Sequence, residues 1–468
     1  MSEVGSSHSS YEVGDKPVER RGRQISVSRW EARGAQEVRK GVEQEQKDIR
    51  YQSRTYKKLQ TLMNRVNAES IKEEHRKQVK GKAAGIDGIT KEQYDAKLEE
   101  NVNGLIERMK KFSYRPLPVR RTYIPKLTGG ERPLGIPAYE DKLVQAVMSN
   151  ILSDVYEERF TNYSYGYRPN RSAHDAVRVI NNAVGQGKVG YVLEADIKGF
   201  FDNVSHDWLM KFLENDIEDK NFLRYIKRFL IAGIMEGTEI LESDKGTPQG
   251  GPMSPVLANV YLHYVLDLWY EKFLKGVMEG ETHYVRFADD FAMLFQHKRD
   301  AENAMSLLIE RLAKFGLEVA GDKTRILPFG RFKGTKEDFD FVGFTFFNAK
   351  TRAGKYRLGI RTSSKKLKAK RAAVKAWLRT RLTKPIAETM TTLNRALQGH
   401  YNYYGVSGNS IMLAKFTRYA QYTCYRMFNR RDQKGKMKVD VFYRIWTYYI
   451  KPPRLTVDLW NGWKPKMI

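Results

Sequence analysis

Residues 283–295 read HYVRFADDFAMLF, two short apolar runs with Asp289 and Asp290 side by side between them. Runs of that length broken by one polar pair fit two strands joined tightly, which makes them antiparallel neighbours. Adjacent carboxylates repel, so both stay ionised only if something compensates them. A divalent cation does so, and Mg²⁺ takes oxygen ligands while keeping waters or substrate phosphates in its shell. A third acid, Asp196, follows directly on the apolar segment Tyr191–Ala195. Where such strand ends meet, three carboxylates can hold two metals about 3.5–4 Å apart, the arrangement of phosphoryl transfer. The plainer reading of Asp289–Asp290 is a hairpin turn, where Asp is common.

The rest of the chain mixes helices and strands. Tyr56, Leu59, Leu62, Met63 and Val66 recur at helical spacing and predict a helix from about Arg50, followed by the glycine-rich GKAAGIDG at 81–88. Val102, Leu105, Ile106, Met109 and Phe112 predict a second helix, and Leu143, Val147, Ile151 and Val155 a third over 138–160. Between them, YRPLPVRRTYIPK is extended because of its prolines, and LTGGERP reads as the turn of a hairpin. Ser205 is a helix N-cap ahead of Trp208, Leu209, Phe212 and Leu213. Met305, Leu308, Ile309, Leu312 and Phe315 give a helix over 299–315, with Gly316 as its C-cap. Strands are expected at 317–327 and 339–347. The fold class is therefore α+β, an antiparallel sheet with helices on one face.

Charge points to the partner. The chain has 82 Lys+Arg against 55 Asp+Glu, a net +27, and such an excess argues for a polyanion, most often nucleic acid. Residues 361–384 hold ten lysines and arginines and no acid, on a partial helical stripe of Leu367, Val374, Trp377, Leu378 and Leu382. A helix of this kind, were it to track a duplex as the resemblance described below implies, would place Lys365, Lys366, Lys368, Lys370, Arg371, Lys375, Arg379 and Arg381 along the phosphates. The tyrosines interleaved after it, from Tyr401 to Tyr449, could stack on unpaired bases or simply pack a helix bundle. Cys424 is the single cysteine, which excludes a disulfide framework and a cysteine-rich zinc site. No apolar run reaches the ~18–20 residues that span a bilayer, and MSEVGSSHSS lacks a secretory apolar core. The expected setting is reducing and intracellular, a bacterial cytoplasm or an organelle matrix, with no membrane partner.

From Gly85 to Gly343 the chain resembles the reverse transcriptases of group II introns, through eight motifs in family order. They are GIDGIT (85–90), RRTYIPKLTGGERPLGIP (120–137), YSYGYRPNRSAHDA (163–176) and EADIKGFFDNVSH (194–206), then GTPQGGPMSPVLANVYL (246–262), RFADD (286–290), Gly321-Asp322-Lys323 and FVGF (341–344). LNRALQGHYNYYG (393–405) and the basic sequence after it resemble the family's thumb, or maturase, region. The resemblance implies a right-hand polymerase. Its expected parts are a basic, poorly ordered extension at 1–50, N-terminal helices and fingers at 51–185, a palm at 186–350, and a mostly helical thumb or maturase domain at 351–468.

It also implies roles. Asp196, Asp289 and Asp290 become the catalytic metal triad, with the main chain of Ile197 as a further ligand, for two Mg²⁺ ions or Mn²⁺ as substitute. Phe201 matches the steric gate that excludes a 2′-hydroxyl; core packing is its plain alternative, with Phe200 pointing the other way on a strand. Lys126 and Arg132 match triphosphate-holding residues and Lys323 a lysine near the pyrophosphate, though each also reads as a solvated surface cation. Gln249 would touch the incoming nucleotide or the template. Gly250 and Gly251 would let the backbone approach substrate. Phe287 stands where the family usually has tyrosine, which removes a hydroxyl and keeps the ring; activity is expected to survive with altered fidelity. His174 and Asp175 read as helix-start and packing residues.

The implied activity is RNA-directed DNA synthesis from deoxynucleoside triphosphates on an RNA template/DNA primer duplex. Binding of group II intron RNA for splicing, and retrohoming into target DNA, come with it. No cysteine-paired His-Asn-His endonuclease pattern follows, so cleavage of the second strand is not expected. The alternatives are a domesticated relative serving defence, spacer acquisition or repair, a splicing-only RNA chaperone, and, against Phe201, an RNA-dependent RNA polymerase.

Overall fold

The computed structural model describes residues 41, 43–44, 46–125, 130–237, 239–241, 244–247, 250–431 and 435–459. Most of the expected N-terminal extension, and the candidates Lys126 and Gln249, lie outside them. Helix α1 covers residues 46–55 and ends where the apolar spacing predicts a helix to be under way. Leu59, Leu62 and Val66 are buried, but on irregular chain and a single 3-10 turn, Leu62–Arg65. The reason lies in the backbone partners. Leu59 exchanges hydrogen bonds with Asp216 and Glu218, and the Met63 amide donates to Asp219, so a remote segment satisfies groups a helix would have paired. The periodicity recorded burial, not helix. Helix α2 (Ala68–Lys77) falls within the span expected to be helical before the glycine-rich 81–88, but it starts anew at a capping box between Asn67 and Ser70.

Short α3 (Lys91–Asp95) leads into α4 (Leu98–Lys110). The proline-bearing segment forms β1 (Val119–Pro125), antiparallel to β2 (Glu131–Ile136), and α5 (Tyr139–Glu157) follows. Ser172 and Asp175 form a capping box that opens α6 (Ala173–Gln186). Then come β3 (Tyr191–Ala195), the helical turn α7 (Phe200–Asn203), α8 (His206–Asp216) capped by Ser205, and α9 (Lys220–Leu230). Phe200 and Phe201 thus sit on a helical turn opened by Gly199 at φ +53°, not on a strand, and both rings are buried. β4 (Ile234–Glu236) and β5 (Glu239–Leu241) precede α10 (Ser254–Leu262), which runs on through two π-helical turns into α11 (Lys275–Val277).

The hairpin of β6 (Thr282–Phe287) and β7 (Asp290–Phe295) leads to α12 (Lys298–Lys314), ended by Gly316 at φ +71°. In α12 the burial falls on Ala301, Ala304, Leu308 and Leu312, whereas Ile309 is 44% exposed. Of the strand expected over 317–327, only β8 (Arg325–Pro328) is laddered; Val319 makes an isolated bridge and Gly321–Lys323 is a 3-10 turn. β9 (Asp338–Phe341), β10 (Phe344–Lys350) and β11 (Tyr356–Thr362) form one antiparallel sheet. Four helices close the described chain: α13 (Ser364–Arg379), α14 (Ile386–Tyr404), α15 (Ser410–Phe428) and α16 (Val439–Tyr449).

The central sheet has the order β6-β7-β3-β8, antiparallel throughout. It is buried on both faces, not on one. Leu193, Phe291, Met293 and Phe295 face a core built with α4, α5, α8–α10 and α12. Val192, Ala292, Leu294 and Leu327 face a second core built with α6, the β9–β11 sheet and the C-terminal helices. The continuous apolar run FAMLF is what a strand buried on both sides requires. A separate mixed sheet, β2-β1-β4-β5, pairs β1 parallel to β4.

Candidate active site

β3 and β7 pair from Tyr191↔Phe295 to Ala195↔Phe291. The ladder ends there, and the next residues out are Asp196 after β3 and Asp290 at the start of β7, with Asp289 in the adjoining turn. The turn itself is Ala288–Asp289, closed by the pair Phe287↔Asp290, and Ala288 adopts φ +58°, a left-handed conformation costly for alanine.

A buried polar network holds that turn. Arg286 is 0% exposed. Its guanidinium donates to both carboxylate oxygens of Asp267, to Asn259 Oδ1 (2.9 Å) and to the Ala288 carbonyl (3.0 Å). Tyr284 Oη also donates to Asp267, and Asn259 Nδ2 donates to the Gly166 carbonyl (2.7 Å). Gly166 must be glycine, since a Cβ there would meet the Ala288 nitrogen at 2.4 Å. The YSYG segment runs beside β6, exchanging backbone bonds with Arg286. None of Arg286, Asn259 or Asp267 stood out in the sequence as more than motif neighbours, because their pairing is long-range.

The carboxylates disfavour one another's charge. Burial, then repulsion from Asp289, Asp196 and Glu194, pushes Asp290 up to about 7. Asp289 is raised by burial and by Asp196, and Arg132 opposes that rise. Asp290 Oδ2 accepts from the Val342 amide (3.0 Å). Asp196 Oδ2 accepts from Lys323 Nζ (2.7 Å), and that contact raises the ammonium's pKa. Glu194 is paired with Arg325 (2.9 Å).

Among the described residues, no three His, Cys, Asp or Glu side chains gather into a coordination cage. An all-oxygen donor set of converging, mutually repelling carboxylates nevertheless fits Mg²⁺, which takes one or two carboxylates plus substrate phosphates and waters. Ile197 is tied to Val319 through the Lys198 amide and the Asp196 carbonyl, so its own carbonyl faces away from that bridge.

The remaining candidates divide. Arg132, opposite Ile124 in the β1–β2 hairpin, reaches Asp289 electrostatically. Phe201 is 8% exposed, its ring 5.3 Å from that of Phe200. Phe287 is half-buried against the second core. The close approach at Gly250 and Gly251 is internal: a Cβ on Gly250 (φ +117°) would meet the Gly135 carbonyl at 2.6 Å, and one on Gly251 would meet Gln145 Oε1 at 2.6 Å. Along α13, Lys365, Lys366, Lys368, Lys370, Lys375 and Arg379 are exposed, while Leu367 and Leu378 are buried. Arg371 lies over the Tyr419 ring (5.2 Å). Arg381 falls beyond the helix, paired with Glu388 (3.1 Å) and over Trp377 (5.3 Å), so it belongs to the fold's own contacts. His174 donates from Nε2 to the Tyr403 carbonyl (2.7 Å).

The α+β chain, with carboxylates at neighbouring strand ends of a four-stranded antiparallel sheet, has a fold of the right-hand polymerase class. A family model described as reverse transcriptase (RNA-dependent DNA polymerase) matches residues 124–346. Similar proteins include the group II intron-encoded protein LtrA of Lactococcus lactis subsp. cremoris, 34% identical over 281 residues, 56% of this chain and 46% of that one. Protein YkfC of Escherichia coli is 30% identical over 306 residues, 58% of this chain and 78% of YkfC. An uncharacterized 91 kDa protein in the cob intron of Schizosaccharomyces pombe is 37% identical over 177 residues, 38% of this chain and 22% of that one. The chain belongs to the group II intron reverse transcriptase/maturase family. Its match spans about half the length of LtrA. No helix among the described residues is long and apolar enough to cross a membrane.

Proposed function

We propose that the protein is an RNA-directed DNA polymerase that extends a primer 3′-hydroxyl on an RNA template, and that it binds group II intron RNA to promote splicing and retrohoming. The observation that supports this is the end of the β3–β7 ladder at Ala195↔Phe291, where Asp196, Asp289 and Asp290 are the adjoining residues and repel one another. Family membership supports intron RNA as the partner, and the +27 net charge suits it.

Asp196, Asp289 and Asp290, with the Ile197 carbonyl, would hold two Mg²⁺ ions, or Mn²⁺. Bound there, the ions supply an acidified 3′-hydroxyl and counter-charge for the leaving pyrophosphate. The chain's own groups do the rest. Arg132 and Lys126 grip the triphosphate, Arg by a bidentate fork and Lys as a point charge. Gln249, which precedes Gly250 in the sequence, contacts the nucleotide or the template. Lys323 Nζ, held 2.7 Å from Asp196 and kept protonated by it, would donate to the departing pyrophosphate. Phe201 closes the space a ribose 2′-hydroxyl needs. The exposed lysines of α13 follow the primer–template phosphates.

The test is extension of a DNA primer on an RNA template with Asp289→Ala and Asp290→Ala. Both are expected to abolish extension while RNA binding persists. Near-normal extension by either removes the metal-triad assignment. RNA copurified from the native cell is expected to concentrate on the flanks of the protein's own gene, with splice junctions. Reads spread over cellular transcripts would leave the polymerase and remove the intron partner.

A further inference from the structure

β9 and β10 are joined by a two-residue turn, Val342–Gly343, closed by the pair Phe341↔Phe344. Both turn residues have positive φ, Val342 at +45° and Gly343 at +82°. A hairpin turn with two left-handed residues calls for Asn-Gly or Gly-Gly. Glycine meets that demand at the second position, but the first carries a β-branched side chain, for which positive φ is a genuine outlier. Strain kept at one position points to a role for that peptide unit.

The Val342 peptide is used on both sides. Its amide donates to Asp290 Oδ2 (3.0 Å), and its carbonyl accepts from Tyr403 Oη (2.8 Å). Tyr403 lies near the end of α14, sixty-one residues along the chain from that carbonyl. Its ring stacks on Phe344 (5.7 Å, 15° between planes), and its own carbonyl is held by His174 Nε2 from α6. A carbonyl can only accept, so His174 carries its proton on Nε2. One strained turn therefore links the C-terminal helices to a strand-end carboxylate.

We propose that Tyr403 is a positioning residue for Asp290, so that nucleotide addition depends on α14 being docked on the Val342 turn. This rests on the assignment of Asp290 as a catalytic carboxylate. Tyr403→Phe keeps the ring and its stacking and removes one hydrogen bond. The rate at saturating deoxynucleotide is expected to fall roughly three- to tenfold, the factor one neutral hydrogen bond is worth. Primer–template affinity, the KM for deoxynucleotide and the melting temperature are expected to hold. Mn²⁺ binding to the full-length protein, followed by electron paramagnetic resonance, is expected to weaken by a similar factor. Tyr404→Phe, one residue on, is the matched control and is expected to behave as wild type. A Tyr403→Phe protein with wild-type rate and wild-type Mn²⁺ affinity overturns the inference. So does a rate loss matched by an equal loss of primer–template affinity, which would make Tyr403 part of the nucleic-acid surface. A wild-type protein that neither extends primers nor binds Mn²⁺ overturns the catalytic assignment itself, a result distinct from both.

Discussion

Arg286→Leu isolates what the buried network contributes. The substitution leaves Asp267, also fully buried, with Tyr284 as its remaining close donor and His263 at 3.9 Å. Breaking a buried pair by removing one partner costs about 3–5 kcal/mol, a large part of the ~5–15 kcal/mol that holds a domain together. The single variant is therefore expected to unfold at much lower denaturant. Arg286→Met combined with Asp267→Leu removes both charges, and such replacements of buried pairs by apolar residues are often neutral or stabilising. The double variant is expected to recover most of the denaturation midpoint. It does not restore the donors to the Ala288 carbonyl and to Asn259, so the left-handed turn that carries Asp289 stays loose. Primer extension by the double variant is expected to remain at least ~10-fold below wild type, the effect of losing about 1.4 kcal/mol or more in positioning. Recovery of stability together with full extension would refute the idea that the network positions the turn.

Further outcomes follow from other parts of the fold. His400 is buried against Phe416 and Tyr404, and neither ring nitrogen has a partner among the described residues; burial pushes its pKa down to about 4. A base depressed in the folded state contributes stability above the unfolded pKa of ~6.5, and that stability is lost as pH falls through 4, about 3 kcal/mol in all. His400→Phe is expected to flatten the acid limb of a stability-against-pH curve; an unchanged limb places the acid sensitivity elsewhere. Replacing Lys365, Lys368 and Lys375 by alanine is expected to reduce the slope of log affinity against log salt for a primer–template duplex by roughly 2–3; an unaltered slope removes α13 from the duplex path. Phe201→Val is expected to raise ribonucleotide relative to deoxynucleotide incorporation and to lower stability by ~1–3 kcal/mol. Lower stability with an unchanged ratio would make Phe201 a core residue only.

Local chemistry was legible wherever it was written in neighbouring residues. The hairpin around Asp289–Asp290, the N-cap at Ser205 and the glycine stop at 316 depend on contacts within a few positions, and each was visible in the string. Spacing misled where burial came from a distant partner. Leu59 and Leu62 lie under the chain at 216–219, and that pairing replaced the helix their period suggests. Apolar strand content could not say how many faces were covered, because a run such as FAMLF is satisfied equally by one core or by two.

By itself the sequence determined the α+β class, the family, the basic character of the partner surface and the presence of three acids next to strand ends. Those depend on composition, period and motif order, which are properties of the string. Only the tertiary structure decided that Asp196 and Asp290 leave adjacent strand ends close enough to repel, that Arg286 and Asp267 hold the turn from within, and that Tyr403 reaches Asp290 through Val342. A hydrogen bond across 19, 52 or 61 residues leaves no local mark, since its energy depends on where two surfaces meet and not on what lies beside either residue in the chain.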